Sequence, residues 1–190
     1  MKTFNLKGTK RTELGKKASK TVRKVDEVPC VLYGGKENVF FTVPNKEIQK
    51  LIYSPDVFVI NLDIDGQKFT SIIQEIQFHP VTDAVLHMDF LEINEKKPVV
   101  VELPVKLEGL AEGVKAGGKL SLELRHLKVK GIYTKLPENI TIDVTSLGLG
   151  KSIQIGALSF KDFEILNTKT AIVAQVKTTR AAREAAVPGK

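Results

Sequence analysis

His87, Met88 and Asp89 place an imidazole and a carboxylate two residues apart in the run VLHMDFLEI (85–93). On a β-strand, residues i and i+2 share a face, so this segment would expose a donor/acceptor pair. Two roles are open to it. One is a His–Asp pair that stabilises a sheet; the other is a strand that reads a groove by hydrogen bonds. Hydrolytic chemistry would need more. The remaining histidines, His79 and His126, form no His-x-x-x-His pair and have no glutamate at metal-binding spacing. Ser19 lies among cations with no nearby histidine to activate it. No set of residues suggests acid–base or nucleophilic catalysis, and neither an enzyme nor a cofactor is expected.

Two further motifs resolve into turns. Asn61-Leu-Asp-Ile-Asp-Gly66 opens like a calcium loop, but that loop needs a glutamate six residues after its glycine, and position 72 is Ile. Asp65-Gly66 is instead a strong two-residue hairpin signal. Gly34-Gly35-Lys36 resembles part of a phosphate loop, yet Glu37 stands where Ser or Thr is required. A glycine turn after a strand accounts for it. Two adjacent glycines also let the backbone come close to something large, with Tyr33 and Lys36 beside it.

Charge is the stronger signal. The stretch GKKASKTVRK (15–24) holds five cations and no acid. Residues 1–24 carry nine Lys/Arg against Glu13 alone, whereas the 190-residue chain has a net charge of +7. The excess is therefore local, with a smaller basic patch at Arg180, Arg183 and Lys190. Such a segment suggests a polyanionic partner: nucleic acid, an anionic membrane surface or an acidic protein. One cysteine, Cys30, permits no internal disulfide and is expected as a buried free thiol in VPCVLY. MKTFNLKGTKR lacks the apolar centre of a signal peptide, and no apolar run approaches the ~20 residues of a membrane span. A cytoplasmic protein is expected.

These residues need positioning elements, and most of the chain reads as strand. FNLKG (4–8), VPCVLYGG (28–35), NVFFTV (38–43), two strands within 57–76 and VLHMDFLEI (85–93) come first. Two helices interrupt them. In GKKASKTVRKV, Ala18, Val22 and Val25 form a narrow apolar stripe, while Lys16, Lys20, Arg23 and Lys24 face elsewhere, with Gly15 as the start. In NKEIQKLIY, Asn45 can cap and Ile48, Leu51 and Ile52 form the buried face. EINEKKP (92–98) marks a boundary. Beyond it VVVELPVKL alternates through Val99, Val101, Leu103, Val105 and Leu107, and LSLEL, LKVKGIY, ITIDV and TAIVAQV follow between Gly-rich turns. The expected architecture is mainly β with a few short helices: an N-terminal domain over 1–92, a β-rich domain over 93–178 and a mobile basic tail over 179–190.

Taken in order, RTELGKKASKTVRKVDEVPCVLYGGKE and QEIQFHPVTDAVLHMDFLEI resemble a family. It is that of the bacterial large-subunit ribosomal proteins that bind 5S ribosomal RNA, in the two-domain form called the general stress protein Ctc type. The G-K-x-A-S stretch, the Y-G-G-K turn, the H-P turn and the L-H-x-D-F strand follow the family's order and spacing. Residues ~1–92 match strongly; V-x-L-P-V and G-V-K-x-G-G carry a looser match beyond. The resemblance implies an N-terminal β-barrel that binds the loop E region of 5S RNA, with the basic helix in a minor groove. By position, the implied RNA-binding residues are Arg11, Lys16, Ser19, Lys20, Arg23, Tyr33, Gln74, His87 and Asp89. Cations on one helical face neutralise phosphates, and the wide minor groove of RNA presents 2′-hydroxyls that Ser, Gln, His and Asp can read. Thr21 stands where members often carry arginine and Phe78 where some do, which predicts a shallower salt dependence.

The leading expectation is thus a non-enzymatic, ribosome-associated protein. Its partners would be 5S rRNA within the large subunit and neighbouring ribosomal proteins through the second domain. The alternative is a stress-related interaction protein whose main partner is a protein bound by the second domain. Tight, salt-sensitive binding of 5S RNA by residues 1–92 alone would separate them. A DNA-binding domain is disfavoured, because no helix-turn-helix, zinc or basic-zipper pattern is present.

Overall fold

The computed structural model describes residues 1–54, 56–95 and 97–179. It divides near Val99 into two compact units, each considered by itself. In the first unit, β1 (Lys2–Lys10), β2 (Glu27–Tyr33), β3 (Val39–Pro44), β4 (Phe58–Ile64), β5 (Gln67–Phe78) and β6 (Val85–Glu92) close into a barrel of order β1-β3-β2-β6-β5-β4. Two pairings, β1 with β4 and β2 with β6, are parallel, and the others are antiparallel. The ring closes between β1 and β3, whose register pairs only Thr9 with Thr42 and Lys10 with Phe41. The strand period of two supplies the interior, where Leu6, Cys30, Phe41, Leu62, Met88 and Phe90 are each at most 1% exposed. The expected barrel and the free, buried Cys30 are both present, and burial pushes the Cys30 thiol well above its ordinary range.

The β4–β5 hairpin turns at Asp65 (φ 49°) and Gly66 (φ 87°). Left-handed backbone at both central residues is the twist-matched two-residue turn that Asp-Gly favours. Asp63 accepts from the Gly66 amide and Asp65 from the Lys10 amide, both at 3.1 Å. These carboxylates therefore fix backbone, and no group able to hold a metal ion occurs among the described residues.

Helix α1 (Lys16–Lys24) follows Gly15, and α2 (Asn45–Ile52) covers one side of the barrel core through Ile48 and Leu51. Asn45 does not cap α2. Pro44 takes that position, and the Asn45 backbone and side-chain amides both donate to Asp26 at 3.0 Å. The cause is register: Glu27 pairs with Pro44, which brings the turn after α1 against the start of α2. The first strand also runs further than FNLKG, because seven consecutive residues of β1 pair with β4.

The second unit is built on β7 (Val99–Glu108), whose predicted alternation holds: Val99, Val101, Leu103 and Val105 are buried. A short helix, α3 (Glu112–Lys115), replaces part of a predicted glycine-rich turn. Then come β8 (Lys119–Leu122), β9 (His126–Gly131), β10 (Ile140–Asp143), β11 (Ser152–Gln154), β12 (Phe163–Ile165) and β13 (Ile172–Lys177). They form one sheet of order β10-β7-β9-β12 and another of order β11-β13-β8. The expected mobile tail lies, except for Thr179, outside the described residues.

Beside β8, the Glu123 carboxylate accepts from Lys177 (2.8 Å), Gln175 (2.7 Å) and Ser121 (2.9 Å). These bonds, Lys177 first, lower its pKa from 4.5 to about 2. The folded value lies below the ordinary one, so the ionised group favours the folded unit above about pH 4.5 and that contribution fades as pH falls toward 2. Glu123→Gln is expected to flatten this acid limb in thermal unfolding measured across that window. An unchanged limb would show that other carboxylates set it.

Candidate nucleic-acid interface

Three elements build the candidate face: α1, the outer side of β6 and a bulge in β5. Helix α1 begins after Gly15, whose φ of 103° is glycine backbone, and the Ser19 amide closes the first turn on the Gly15 carbonyl at 3.0 Å. Lys16, Lys17, Lys20 and Lys24 are exposed, and none has an ion-pair partner among the described residues. Arg23 and Lys24 fall in the last turn, where the helix dipole favours cations. The expected apolar stripe is only partly realised. Ala18 and Val22 are half-buried, but Val25 is 66% exposed and no residue of the helix is fully buried.

Polar bonds supply much of the helix's attachment. The Arg11 amide donates to the Phe40 carbonyl at 2.8 Å, and its guanidinium donates to the Glu13 carbonyl at 3.2 Å and the Ser19 hydroxyl at 3.4 Å. This braces the segment between β1 and α1. At the far end, Arg23 Nε donates to the Leu86 carbonyl of β6 at 3.0 Å. Leu86 immediately precedes His87, so this bond ties the cationic helix to the strand that carries the His–Asp pair.

On β6, Met88 and Phe90 point into the core, and the alternation turns His87 and Asp89 outward. His87 Nδ1 lies 2.7 Å from Asp89 Oδ1, with both side chains roughly three-quarters covered. A proton on Nδ1 is thereby fixed toward the carboxylate, and neutral His87 presents Nε2 as an acceptor. Asp89 is thus a carboxylate that orients an imidazole. Alternation along VLHMDFLEI would put Ile93 on this same face, but it lies beyond the end of the strand and is buried.

Across the ladder, Gln77 faces His87, while Ile73 pairs with Phe90 and Glu75 with Asp89. Gln74 is the extra residue between those last two pairs. Such a bulge re-aims side chains, and Gln74 and Glu75 are both exposed beside Asp89. Tyr33 ends β2, paired with Leu91. Burial raises its phenol pKa, and the Asp89 and Glu75 carboxylates raise it further, which places all three groups in one electrostatic neighbourhood. Glu75 was not foreseen, because only the bulge brings it to this face.

The Gly34-Gly35 turn also finds its explanation here. A Cβ on Gly34 (φ 94°) would stand 2.6 Å from Leu91 Cδ1, and one on Gly35 would overlap the Glu92 carboxylate. The large object the glycines approach is the end of β6. His79 is structural: its Nδ1 accepts from the Val81 and Thr82 amides at 3.3 Å and shapes the turn after β5.

The nine nominated residues therefore sort by place. His87, Asp89, Gln74 and Tyr33 share the outer face around β6, and Arg23 joins it through Leu86. Lys16 and Lys20 have no ion-pair partner among the described residues, while Arg11 and Ser19 are bonded to each other. Charge is divided in a way that orients a polyanion: residues 25–99 carry twelve acids and six Lys/Arg, so the excess of cations in this unit sits on β1 and α1. Were α1 to meet phosphates, Lys20→Ala should cost about 1 kcal/mol or less and lower the salt slope by about one. Equal slopes for variant and parent would remove Lys20 from the phosphate contacts.

Fold and face together define a class: a small closed β-barrel that presents a cationic helix beside an outward His–Asp pair, joined to a second β unit. The model of the Ribosomal L25p family matches residues 6–90, and that of the ribosomal protein TL5 C-terminal domain matches 98–180. Relatives named large ribosomal subunit protein bL25 align almost end to end. That of Phocaeicola vulgatus is 53% identical, covering 98% of both chains. That of Porphyromonas gingivalis is 56% identical, again over 98% of both. That of Azobacteroides pseudotrichonymphae is 58% identical over 96% of this chain and 97% of its own. The chain belongs to the ribosomal L25p family, in its two-domain form.

Proposed function

We propose that the protein is a non-enzymatic constituent of the large ribosomal subunit, cytoplasmic and ribosome-associated, that binds 5S ribosomal RNA in its loop E region. Family membership supports the ribosomal role. The observation that carries the finer reading is the Arg23–Leu86 bond, which joins α1 and the His87–Asp89 strand into one continuous face. Lys16 and Lys20 neutralise phosphates, while Gln74, Tyr33, His87 and Asp89 offer donors and acceptors to 2′-hydroxyls and base edges. Cations alone would hold any polyanion; the polar ladder adds selectivity. Residues 1–92 form the RNA-binding domain in this reading, and 93–178 extend along the RNA or toward a neighbouring ribosomal protein, with 179–190 as a basic tail.

The test is a binding titration of the full chain against 5S RNA and against 5S RNA lacking loop E, at two salt concentrations. Tight, salt-sensitive binding lost with loop E supports the assignment. Absent binding, or binding indifferent to loop E, overturns it and moves the search to protein partners of the second unit.

A further inference from the structure

A cation on an RNA-facing helix is ordinarily assigned to phosphate. The geometry of Arg23 points elsewhere. Its Nε–H donates to the Leu86 carbonyl, and Leu86 adjoins His87. Just beyond this end of α1 the Asn45 amides hold Asp26, but side-chain packing of the helix itself adds little: Val22 is half-buried, and Val25 is mostly exposed. The opposite end hangs on a glycine with open space around it and on the Arg11–Ser19 bond. A nine-residue helix with no fully buried side chain has little intrinsic stability in water. Its orientation therefore depends on the few bonds that clasp it.

We infer that Arg23 is a positioning residue that acts through its Nε–H rather than through its charge. By clasping α1 to β6, it fixes the register between the helix lysines and the His87–Asp89 pair before any RNA arrives. This rests on the reading of that face as the 5S RNA site. The clasp itself, however, is a property of the free protein. Its consequence for binding is preorganisation, since a helix already held in place loses less freedom on binding.

Side-chain chemistry allows charge and bond to be separated. Glutamine carries its amide nitrogen at the same number of bonds from Cα as arginine Nε, so Arg23→Gln keeps a donor to Leu86 and loses the charge. Lysine keeps the charge but has a methylene there. Backbone amide exchange of α1 in the free full-length protein reads the clasp without RNA. Arg23→Lys is expected to speed exchange across α1 by about two- to tenfold, the span of one net hydrogen bond, while Arg23→Gln stays near the parent. In titrations against 5S RNA at two salt concentrations, Arg23→Lys should weaken binding about fivefold with an unchanged salt slope.

The opposite pattern overturns the inference: Arg23→Lys like the parent in exchange and affinity, with Arg23→Gln losing about one unit of salt slope, makes Arg23 a phosphate contact. Equal exchange in all three proteins likewise removes the clasp. Should the parent not bind 5S RNA at all, the functional reading fails, while the exchange comparison still decides the role of Arg23.

Discussion

If the proposed face binds 5S RNA, Asp89→Ala is expected to weaken that binding by about 1–3 kcal/mol, on the order of 5- to 150-fold, while leaving the barrel folded. A bare carboxylate repels phosphate, so removing one from a phosphate-facing surface should help if Asp89 were only a charge. The opposite is expected because Asp89 Oδ1 holds His87 Nδ1 at 2.7 Å, and the alanine variant frees the imidazole to rotate. Asp89→Asn sharpens the case. Its side-chain oxygen still accepts from Nδ1–H, so it should retain much of the affinity that alanine loses. Titration of the three proteins, with thermal unfolding alongside, checks this. An alanine variant that binds like the parent but unfolds more easily would assign the pair to sheet stability alone.

The largest loss of stability is expected from Phe90→Ala. Phe90 is fully buried on the strand between His87 and the end of β6, and its ring packs 5.5 Å from that of Phe41. Truncation leaves a cavity in a closed barrel that cannot easily collapse, at a cost of about 3–5 kcal/mol. Against a typical domain stability of about 5–15 kcal/mol, that is a large fraction of the total. Urea unfolding followed through barrel amide signals measures it separately from the second unit. A cost below about 1 kcal/mol would mean that neighbouring side chains refill the space. Where the barrel survives, RNA binding should also weaken, because Phe90 anchors the strand from which Asp89 projects.

Much of this arrangement was legible from local pattern. Strand alternation at 85–92 put His87 and Asp89 on one face without any knowledge of their neighbours. Asp65-Gly66 announced its hairpin, and Gly15 with five cations announced α1. The errors and omissions have a shared physical origin in contacts between distant residues. Asn45 reads as a cap, but pairing of Glu27 with Pro44 gives it Asp26 as a partner instead. Gln74 carries no sign that it is an extra residue, so Glu75 escaped notice. The Arg23–Leu86 bond spans 63 positions, beyond any helical or strand period. In the second unit, β11 and β12 have three residues each, too few for an alternation to register.

The barrel's strand order also bears on the sequence of events at synthesis. Strand β6 is the last of the six to be made, yet it sits between β2 and β5 and completes the wall. A chain extended only to residue 84 already carries every cation of β1 and α1 but lacks Leu86, His87 and Asp89. At that stage, on the proposed reading of the face, it would attract polyanions without discriminating among them, because the polar ladder has not been added. Insertion of β6 closes the wall, supplies the carbonyl that Arg23 bonds and installs the polar pair in one event. On that reading, generic stickiness would precede selectivity in the nascent chain, and the step that ends the first would be the step that begins the second.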